Sequence, residues 1–141
     1  MLHPFYLILN QIVMNNKFYN KYNHVFLEDA GCYVSEEYKQ FQKDLYKEMK
    51  GIAKNIDAEV VSKNHGHYFE SYFFKRGDSY VYLHHEALGY RTEIDLDSYN
   101  DFYIRTAANE KDYRGGANHT TCYMNFANDI DRLLNIEHRQ V

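Results

Sequence analysis

Cysteine and proline are scarce in this sequence and tryptophan is absent. The sequence therefore lacks a cysteine metal-binding motif and a proline-rich linker. The 141 residues include two cysteines, one proline and no tryptophan. Cys32 and Cys122 stand at no metal-like spacing, so we expect both thiols to be reduced and structural. The single proline, Pro4, and the scattered glycines leave no linker, internal repeat or low-complexity tract. One α+β domain spanning residues 1–141 is the natural expectation for this length, with residues 1–34 lacking a clear pattern.

A long hydrophobic run and an excess of one charge are also missing. The apolar stretch at residues 5–13 is too short to span a bilayer, and it lacks the basic flank and cleavage site of a signal peptide. We therefore expect a cytoplasmic protein with no membrane contact. Twenty acidic residues against 16 basic ones give a net charge of −4, without the basic footprint typical of nucleic-acid binding.

Aromatic residues, in contrast, are plentiful, with 15 tyrosines and 9 phenylalanines. Tyrosine combines a large apolar ring with a polar hydroxyl, which suits half-buried strands and also protein-recognition surfaces. The composition alone leaves both interpretations open.

Hydrophobic periodicity predicts an α+β fold, with an antiparallel sheet of four or so strands packed against two amphipathic helices. The first helix begins after a capping Ser35, and its apolar stripe runs from Tyr38 to Ile56. The last helix follows a capping Thr120 or Thr121 and carries apolar residues from Tyr123 to Leu134. Four strand-like segments lie between the helices, at residues 58–62, 67–75, 79–85 and 102–107. The acidic segment 86–101 is expected to be a loop or an irregular edge.

The tripeptide Arg76–Asp78 predicts a tight turn between the second and third strands, since Gly77 tolerates a positive φ. Side-chain alternation then sorts the hairpin into two faces. We expect the core face to carry Phe69, Ser71, Phe73, Val81 and Leu83. We expect the outer face to be rich in tyrosine, with Tyr68, Glu70, Tyr72, Tyr80, Tyr82 and His84. This outer face is the strongest candidate binding surface, for a partner or for a second copy in a homodimer.

The segment RTAANEKDYRGGANHTT, residues 105–121, has four possible roles. Gly115, Gly116 and Asn118 before a helix favour an anion cradle, although neither complete phosphate-loop pattern is present. Three side chains suggest catalysis, as in a phosphodiester-cleaving enzyme. His119 would act as the acid or base, Asp112 would orient His119, and Arg105 would stabilise an anion. A protein-contacting loop and a purely structural connection are the other two alternatives.

Two further groups of residues are candidate binding sites. The histidines near the hairpin, with Glu86, have no recognisable zinc spacing, so we expect no metal and no cofactor. These residues are His65, His67, His84, His85 and Glu86. Five lysines between Lys39 and Lys54 lie on one side of the first helix. They form either a basic ridge for a nucleic acid or acidic partner, or a solvated edge whose methylene stems cover the core.

Three segments resemble small, mostly uncharacterised proteins carried by conjugative elements and phages of Gram-positive bacteria. They are FFKRGDSYVYL, FYIRTAANEKDYRGGANHTT and NFANDIDRLL, and the resemblance covers roughly residues 40–135. The shared features are an aromatic hairpin, an Arg-Thr-Ala strand end and an Asp-Tyr-x-Gly-Gly loop. In this sequence those motif positions are Arg105, Thr106, Ala107, Asp112, Tyr113, Gly115 and Gly116.

The resemblance implies a setting in which small proteins counter bacterial defences. It suggests a non-enzymatic anti-CRISPR inhibitor that binds an effector nuclease or its guide complex and blocks DNA binding or cleavage. Such an inhibitor acts through surface complementarity, with tyrosine and arginine as its usual anchors. The expected contact residues are Tyr68, Tyr72, Tyr80, Tyr82, Tyr113 and Arg114.

Overall fold

The computed structural model describes residues 36–66, 69–85, 102–122 and 124–139. These ranges contain two helices and five strands. They are α1 (Glu36–Asn55), β1 (Glu59–His65), β2 (Glu70–Arg76), β3 (Ser79–His85), β4 (Phe102–Ala107), β5 (His119–Thr121) and α2 (Phe126–Leu133). The strands form one antiparallel sheet in chain order, which confirms the predicted α+β fold. The predictions for residues 1–35, including the Ser35 cap and Cys32, and for residues 86–101 lie outside the described ranges.

Helix α1 forms where the apolar stripe predicted it, because one side of the helix is buried against the sheet. The buried side chains are Tyr38, Phe41, Leu45, Met49, Ile52 and Ala53. The helix ends where Asp57 adopts a left-handed φ of 57°. The N–H groups of Asp57 and Ala58 then donate to the carbonyls of Lys54 and Ala53. This is the paired hydrogen-bond pattern that commonly closes a helix and turns the chain away.

The hairpin between β2 and β3 has the predicted tight turn, with Gly77 at φ 61°. Its register, however, contradicts the predicted division of the two faces. Arg76 pairs with Ser79, so Phe73 lies opposite Tyr82 and Tyr72 lies opposite Leu83. Directly opposed residues share a face of the sheet. The two-residue turn therefore joins Phe73 to the Tyr82 face, while Tyr72 belongs with Leu83 in the main core.

The two faces of the sheet have different coverings. Both helices pack on the first face, against Tyr72, Phe74, Val81 and Leu83 of the hairpin and against the Phe102 side of β4. The opposite face carries a smaller cluster of Phe73, Tyr82 and Ala107, with partly buried Val61, Tyr80 and Tyr103 around it. We call this second side of the sheet the aromatic face, and its rings are Phe69, Phe73, Tyr80, Tyr82, His84 and Tyr103.

Helix α2 starts later than predicted, and its N-cap is Asn125. The expected caps, Thr120 and Thr121, are instead part of β5, and the Thr121 hydroxyl donates to Asp129 in the helix at 2.7 Å. The segment 105–121 therefore connects β4 to a fifth strand before the chain enters α2. Within the described residues, no helix is long and apolar enough to cross a membrane.

Arg76 fastens the tip of the hairpin to both helices. Its guanidinium donates to the carbonyl of Ile56 at 2.8 Å and to the Asp131 carboxylate at 2.6 Å. It also donates to the carbonyl of Asp131 and to the side chain of Asn135. The arginine of the Arg-Gly-Asp sequence is thus used for internal packing, consistent with a structural turn.

Candidate binding surface on the aromatic face and the Asp112 loop

The aromatic face is built from rings contributed by three neighbouring strands and the segment before β2. His84 lies between Phe69 and Tyr103, and its ring stacks on them at centroid distances of 5.0 and 4.6 Å. A second group pairs Phe73 with Tyr82 at 4.9 Å. Because each ring is held by rings on the next strand, the surface is preorganised, with little side-chain freedom left to lose on binding.

Tyr113 lies on top of this second group and reaches solvent. Its ring meets Phe73 edge-on at 5.2 Å and Tyr82 at 5.8 Å. Even so, 51% of Tyr113 is exposed, which makes it one of only two large exposed apolar residues in the described chain. A tyrosine anchored on one side and open on the other is typical of a contact residue at a protein interface.

Asp112 organises the loop that presents Tyr113. We call residues 108–118 the Asp112 loop. The Asp112 carboxylate accepts hydrogen bonds from the backbone N–H groups of Ala108, Arg114 and Gly115, at 2.8, 3.2 and 2.7 Å. Burial raises the pKa of this carboxyl, but the three backbone donors and the nearby Arg105 outweigh it, and the net shift is downward. The loop is therefore wrapped around an ionised carboxylate.

The Gly-Gly pair is explained by this wrapping. A Cβ at Gly115 would overlap the Asp112 carboxylate, and a Cβ at Gly116 would lie 2.5 Å from the backbone oxygen of Thr106. Gly116 also has a φ of 80°, a conformation that disfavours any L side chain. The predicted anion cradle at Gly115 and Gly116 is not at a helix N-terminus, since β5 follows the loop. The Gly115 N–H is already satisfied by the chain's own carboxylate.

Two side chains from outside the loop support it from either side. The Arg105 guanidinium lies 4.5 Å above the Tyr82 ring and donates to the Asp112 carbonyl at 2.6 Å. Burial lowers the pKa of this guanidinium. His138, from the segment after α2, lies 3.0 Å from the Thr106 hydroxyl and 3.7 Å from the Asp112 carboxylate. The loop is thus held by strand β4 below it and by the C-terminal segment beside it.

The structure does not assemble the catalytic group suggested by the sequence. Arg105 opposes Tyr82 and so belongs to the aromatic face. His119 opposes Ile104, whose side chain is in the core on the helix face. Because successive residues of a strand point to opposite faces, Arg105 and His119 lie on opposite sides of the sheet. Arg105 and Asp112 are brought together, but through the Asp112 backbone carbonyl.

The six predicted contact residues differ in their accessibility. Tyr113 and Arg114 are exposed, and Tyr80 is half-buried with the Lys75 ammonium 5.5 Å from its ring centre. Tyr82 is only 6% exposed and serves as the base on which Tyr113 and Arg105 pack. The placement of Tyr72 on the outer face is wrong, since Tyr72 is fully buried on the helix side. Tyr68 lies outside the described residues.

Glu70 was also expected on the outer face, and it too is buried on the helix side. Its carboxylate accepts hydrogen bonds from the Tyr38 hydroxyl and from the Gln42 amide, and His85 Nδ1 lies 3.3 Å from its other oxygen. Burial, together with the charge of Glu70, raises the pKa of the Tyr38 and Tyr72 hydroxyls. Since Glu70 and His85 are both fully enclosed, this cluster joins α1 to the sheet and offers no access to a substrate.

The histidines considered as metal ligands point in different directions. His84 stacks within the aromatic face, whereas His85 stacks on Phe102 at 4.2 Å on the other side of the sheet. The His65 ring lies 2.8 Å from the Tyr72 hydroxyl. The described residues contain no group of three or more side chains suited to hold a metal ion. His67 and Glu86 lie outside the described ranges.

The sequence predicts Tyr113, Arg114 and His84 as surface residues, but it does not predict the contacts that hold this surface together. The stacked trio of Phe69, His84 and Tyr103 and the contact of His138 with the Asp112 loop depend on tertiary pairing, which leaves no local pattern. The one available signal was the Asp-Tyr-x-Gly-Gly spacing, because aspartate often accepts backbone hydrogen bonds from residues just after it in a turn.

Comparisons of this chain with protein-family models, with curated proteins and with solved structures find no match. The geometry of the surface is therefore the main basis for inferring its function.

Proposed function

We propose that this protein is a non-enzymatic binding protein that inhibits a bacterial defence nuclease. Tyr113 and Arg114 are its principal contact residues, and the half-buried Tyr80 of the aromatic face is a further one. The observation that carries the binding role is Tyr113, whose ring is fixed edge-on against Phe73 and Tyr82 while half of it remains exposed. The nuclease, or its guide complex, is the partner class implied by the resemblance to mobile-element proteins.

The two side chains of the loop region that could serve in catalysis, Asp112 and Arg105, already make contacts within the protein. These contacts favour a binding role over catalysis. The Asp112 carboxylate is surrounded by backbone donors, and the Arg105 guanidinium is packed on Tyr82. Both groups therefore stabilise the loop that displays Tyr113. A general acid or base must instead be able to reach the proton that it transfers.

The rigidity of the loop supports the same conclusion. A preorganised loop loses little conformational entropy when it binds, so more of the contact energy appears as affinity. Tyrosine and arginine are also the residue types most often found at energetic hot spots of interfaces. Tyr113 and Arg114 are adjacent in sequence and both exposed, so a partner that covers one ring and one guanidinium would find both on the same loop.

The test is a stoichiometric titration of DNA cleavage. Purified full-length protein is added to guide-loaded effector nucleases from several Gram-positive bacteria, and target cleavage is measured at increasing ratios. We expect inhibition of at least one nuclease that is complete near an equimolar ratio and does not deepen with incubation time. Inhibition by far less than equimolar protein, to an extent that increases with incubation time, would indicate turnover. That result would contradict a non-enzymatic mechanism. Absence of inhibition across the panel would contradict the partner class.

A further inference from the structure

A basic groove lies on the helix side of the sheet, away from Tyr113. It has a volume of about 300 Å³ and runs between the first half of α1 and strand β1. Its lining residues are Glu36, Lys39, Gln40, Gln42, Lys43, Lys63 and His65. Among the described residues, the lining brings together three ammonium groups, two amides and the Glu36 carboxylate, and the buried Glu70 carboxylate lies behind Gln42.

Within the described part of the chain, the positive charge of this groove is only partly compensated. The Lys39 ammonium pairs with Glu36 at 3.2 Å, in an exposed i, i+3 contact of the kind that contributes little. Lys63 lies over the Tyr46 ring at 4.2 Å. Lys43 has neither a hydrogen bond nor an ion pair within the described part of the chain. Burial lowers the pKa of His65, which keeps its ring neutral near pH 7. The groove therefore attracts anions mainly through its three lysines.

The floor of the groove is fixed by the protein itself. The Gln42 amide donates to the Gly66 carbonyl at 2.9 Å and to the Glu70 carboxylate at 3.0 Å. His65 is held edge-on to Tyr72 at a centroid distance of 5.6 Å. These contacts connect the groove to the buried Glu70 cluster, so its shape does not depend on a ligand.

The β1 side of the groove is the edge of the sheet. Among the described strands, β1 pairs only with β2, and no described strand occupies its other edge. An extended segment can add to such an edge by main-chain hydrogen bonds. Lysine on an edge strand normally discourages pairing with another strand. Here Lys63, together with Lys39 and Lys43 above it, makes the edge selective for a strand that carries negative charge.

The same surface is poorly suited to single-stranded nucleic acid, which needs open aromatic rings for base stacking. Tyr46, the ring next to the groove, stacks on Tyr72 at 6.2 Å and is covered by Lys50 and Lys63. The whole chain also carries a net charge of −4, which opposes a polyanion beyond the groove itself.

We propose that this groove binds an extended acidic segment of a partner protein, which pairs with the edge of β1 that no described strand occupies and directs alternate carboxylates to Lys39, Lys43 and Lys63. Alternate side chains of a strand lie on one face about 6.6–7 Å apart, a spacing similar to the roughly 6 Å rise between Lys39 and Lys43 on the helix. This surface is separate from the Tyr113 surface, and its role does not depend on the nuclease proposal.

The test uses a fluorescent eight-residue peptide of alternating glutamate and threonine, blocked at both ends, with binding to the full chain followed by anisotropy at low salt. We expect saturable binding that weakens as salt is raised. We expect the double variant Lys39→Gln, Lys43→Gln to lower the affinity about tenfold. The matched control Lys47→Gln, Lys54→Gln removes the same charge from exposed positions of the same helix, outside the groove lining, and should change the affinity less than about twofold.

Two companion probes address the mode of binding. A peptide with N-methyl groups on alternate amides cannot pair with a strand edge, and we expect it not to bind. An oligothymidylate of equal charge should bind more weakly than the peptide. Equal binding of the N-methylated peptide, or equal losses in the two lysine variants, would overturn the proposal. Tighter binding of the oligothymidylate would make the groove a nucleic-acid site, and no binding of the peptide would exclude the acidic segment.

Discussion

At the scale of single residues, the Asp112 carboxylate explains the motif around it. In Asp-Tyr-x-Gly-Gly, the aspartate collects backbone donors, the first glycine leaves space for its oxygens, and the second glycine supplies a positive φ. Tyr113 is the residue that the motif displays. A sequence that could be taken for a phosphate cradle is therefore an internal anion site filled by the chain's own side chain.

Replacing Gly116 with alanine should destabilise the protein by about 1–3 kcal/mol, because both its φ of 80° and the Thr106 carbonyl at 2.5 Å oppose a Cβ. Gly51 is the matched control. It is an exposed residue within α1, and an added Cβ would meet nothing within 4 Å. Gly51→Ala should therefore raise the free energy of unfolding by about 0.5–1 kcal/mol. Urea denaturation measures both variants, and a similar change in both would refute this account of the Gly-Gly pair.

Replacing Asp112 with asparagine should lower the free energy of unfolding by about 1–2 kcal/mol at neutral pH, since the amide cannot satisfy donors on both sides. The folded-state pKa of Asp112 is below its ordinary value of 3.8, so the unfolded chain binds more protons in the interval between the two values. The contribution of the carboxylate is thus complete above about pH 5 and is lost as pH falls through the folded-state pKa.

Urea denaturation of both proteins from pH 7 down to pH 3 gives this pH dependence. The difference between the wild type and Asp112→Asn should be constant above pH 5 and should shrink in acid. Arg105 and His138 also face this group, so the difference reports the carboxylate together with its interactions with these two side chains. A difference that grows as the pH falls would show that the assigned direction of the pKa shift is wrong.

The residue-scale predictions from sequence were correct where a local rule applied. The tight turn at Gly77 agrees with the structure. Tyr113 and Arg114, which the resemblance implies as contact residues, are both exposed. Tyr72 was misplaced because its burial depends on a pairing across the hairpin. His138 had no local signal at all, because its contacts with Thr106 and Asp112 join segments that are distant in sequence.

At the scale of elements, periodicity predicts both helices and the four longer strands. The division of the hairpin into two faces depends instead on the strand register. The third and fourth predicted strands, residues 79–85 and 102–107, match β3 and β4. The division of the hairpin faces failed because a two-residue turn pairs Phe73 with Tyr82. Strand β5 was missed because three residues, His119–Thr121, are too few to show alternation.

The contact between the hairpin tip and the helices should depend on the geometry of Arg76 as well as its charge. Arg76→Lys keeps the charge but cannot reproduce four hydrogen bonds to Ile56, Asp131 and Asn135. We expect a loss of about 1–2 kcal/mol in the free energy of unfolding. Arg132→Lys is the control, because Arg132 makes one exposed contact at 3.5 Å with Asp129 and should change stability little. Equal effects in thermal or urea unfolding would mean that the hydrogen bonds of Arg76 do not stabilise the contact between the hairpin and the helices.

At the scale of the whole molecule, the sheet separates two surfaces with different chemistry. The aromatic face and the Asp112 loop present Tyr113 and its supporting rings on one side. The helix side carries the main core and, at its β1 edge, the basic groove. Because the surfaces lie on opposite sides of the sheet, we expect a partner bound at Tyr113 to leave the groove accessible to a second segment.

Folding and binding should depend on different tyrosines. Tyr72→Ala removes a fully buried ring from the core and should cost about 3–5 kcal/mol of stability. Tyr113→Ala removes only edge-on contacts with Phe73 and Tyr82, so we expect a loss of about 1 kcal/mol. Thermal unfolding of the two variants gives the comparison, and a similar loss in both would show that Tyr113 is part of the folding core.

The most direct test of the central claim is the affinity of the Tyr113→Ala variant for a nuclease that the wild-type protein inhibits, measured with an unfolding curve on the same sample. The account predicts a folded variant whose affinity falls at least about thirtyfold, as expected for an interface hot spot worth 2 kcal/mol or more. The exposed substitution Lys47→Ala should leave the affinity unchanged. A folded Tyr113→Ala variant that binds and inhibits like the wild type would contradict the claim that the Asp112 loop is the binding site.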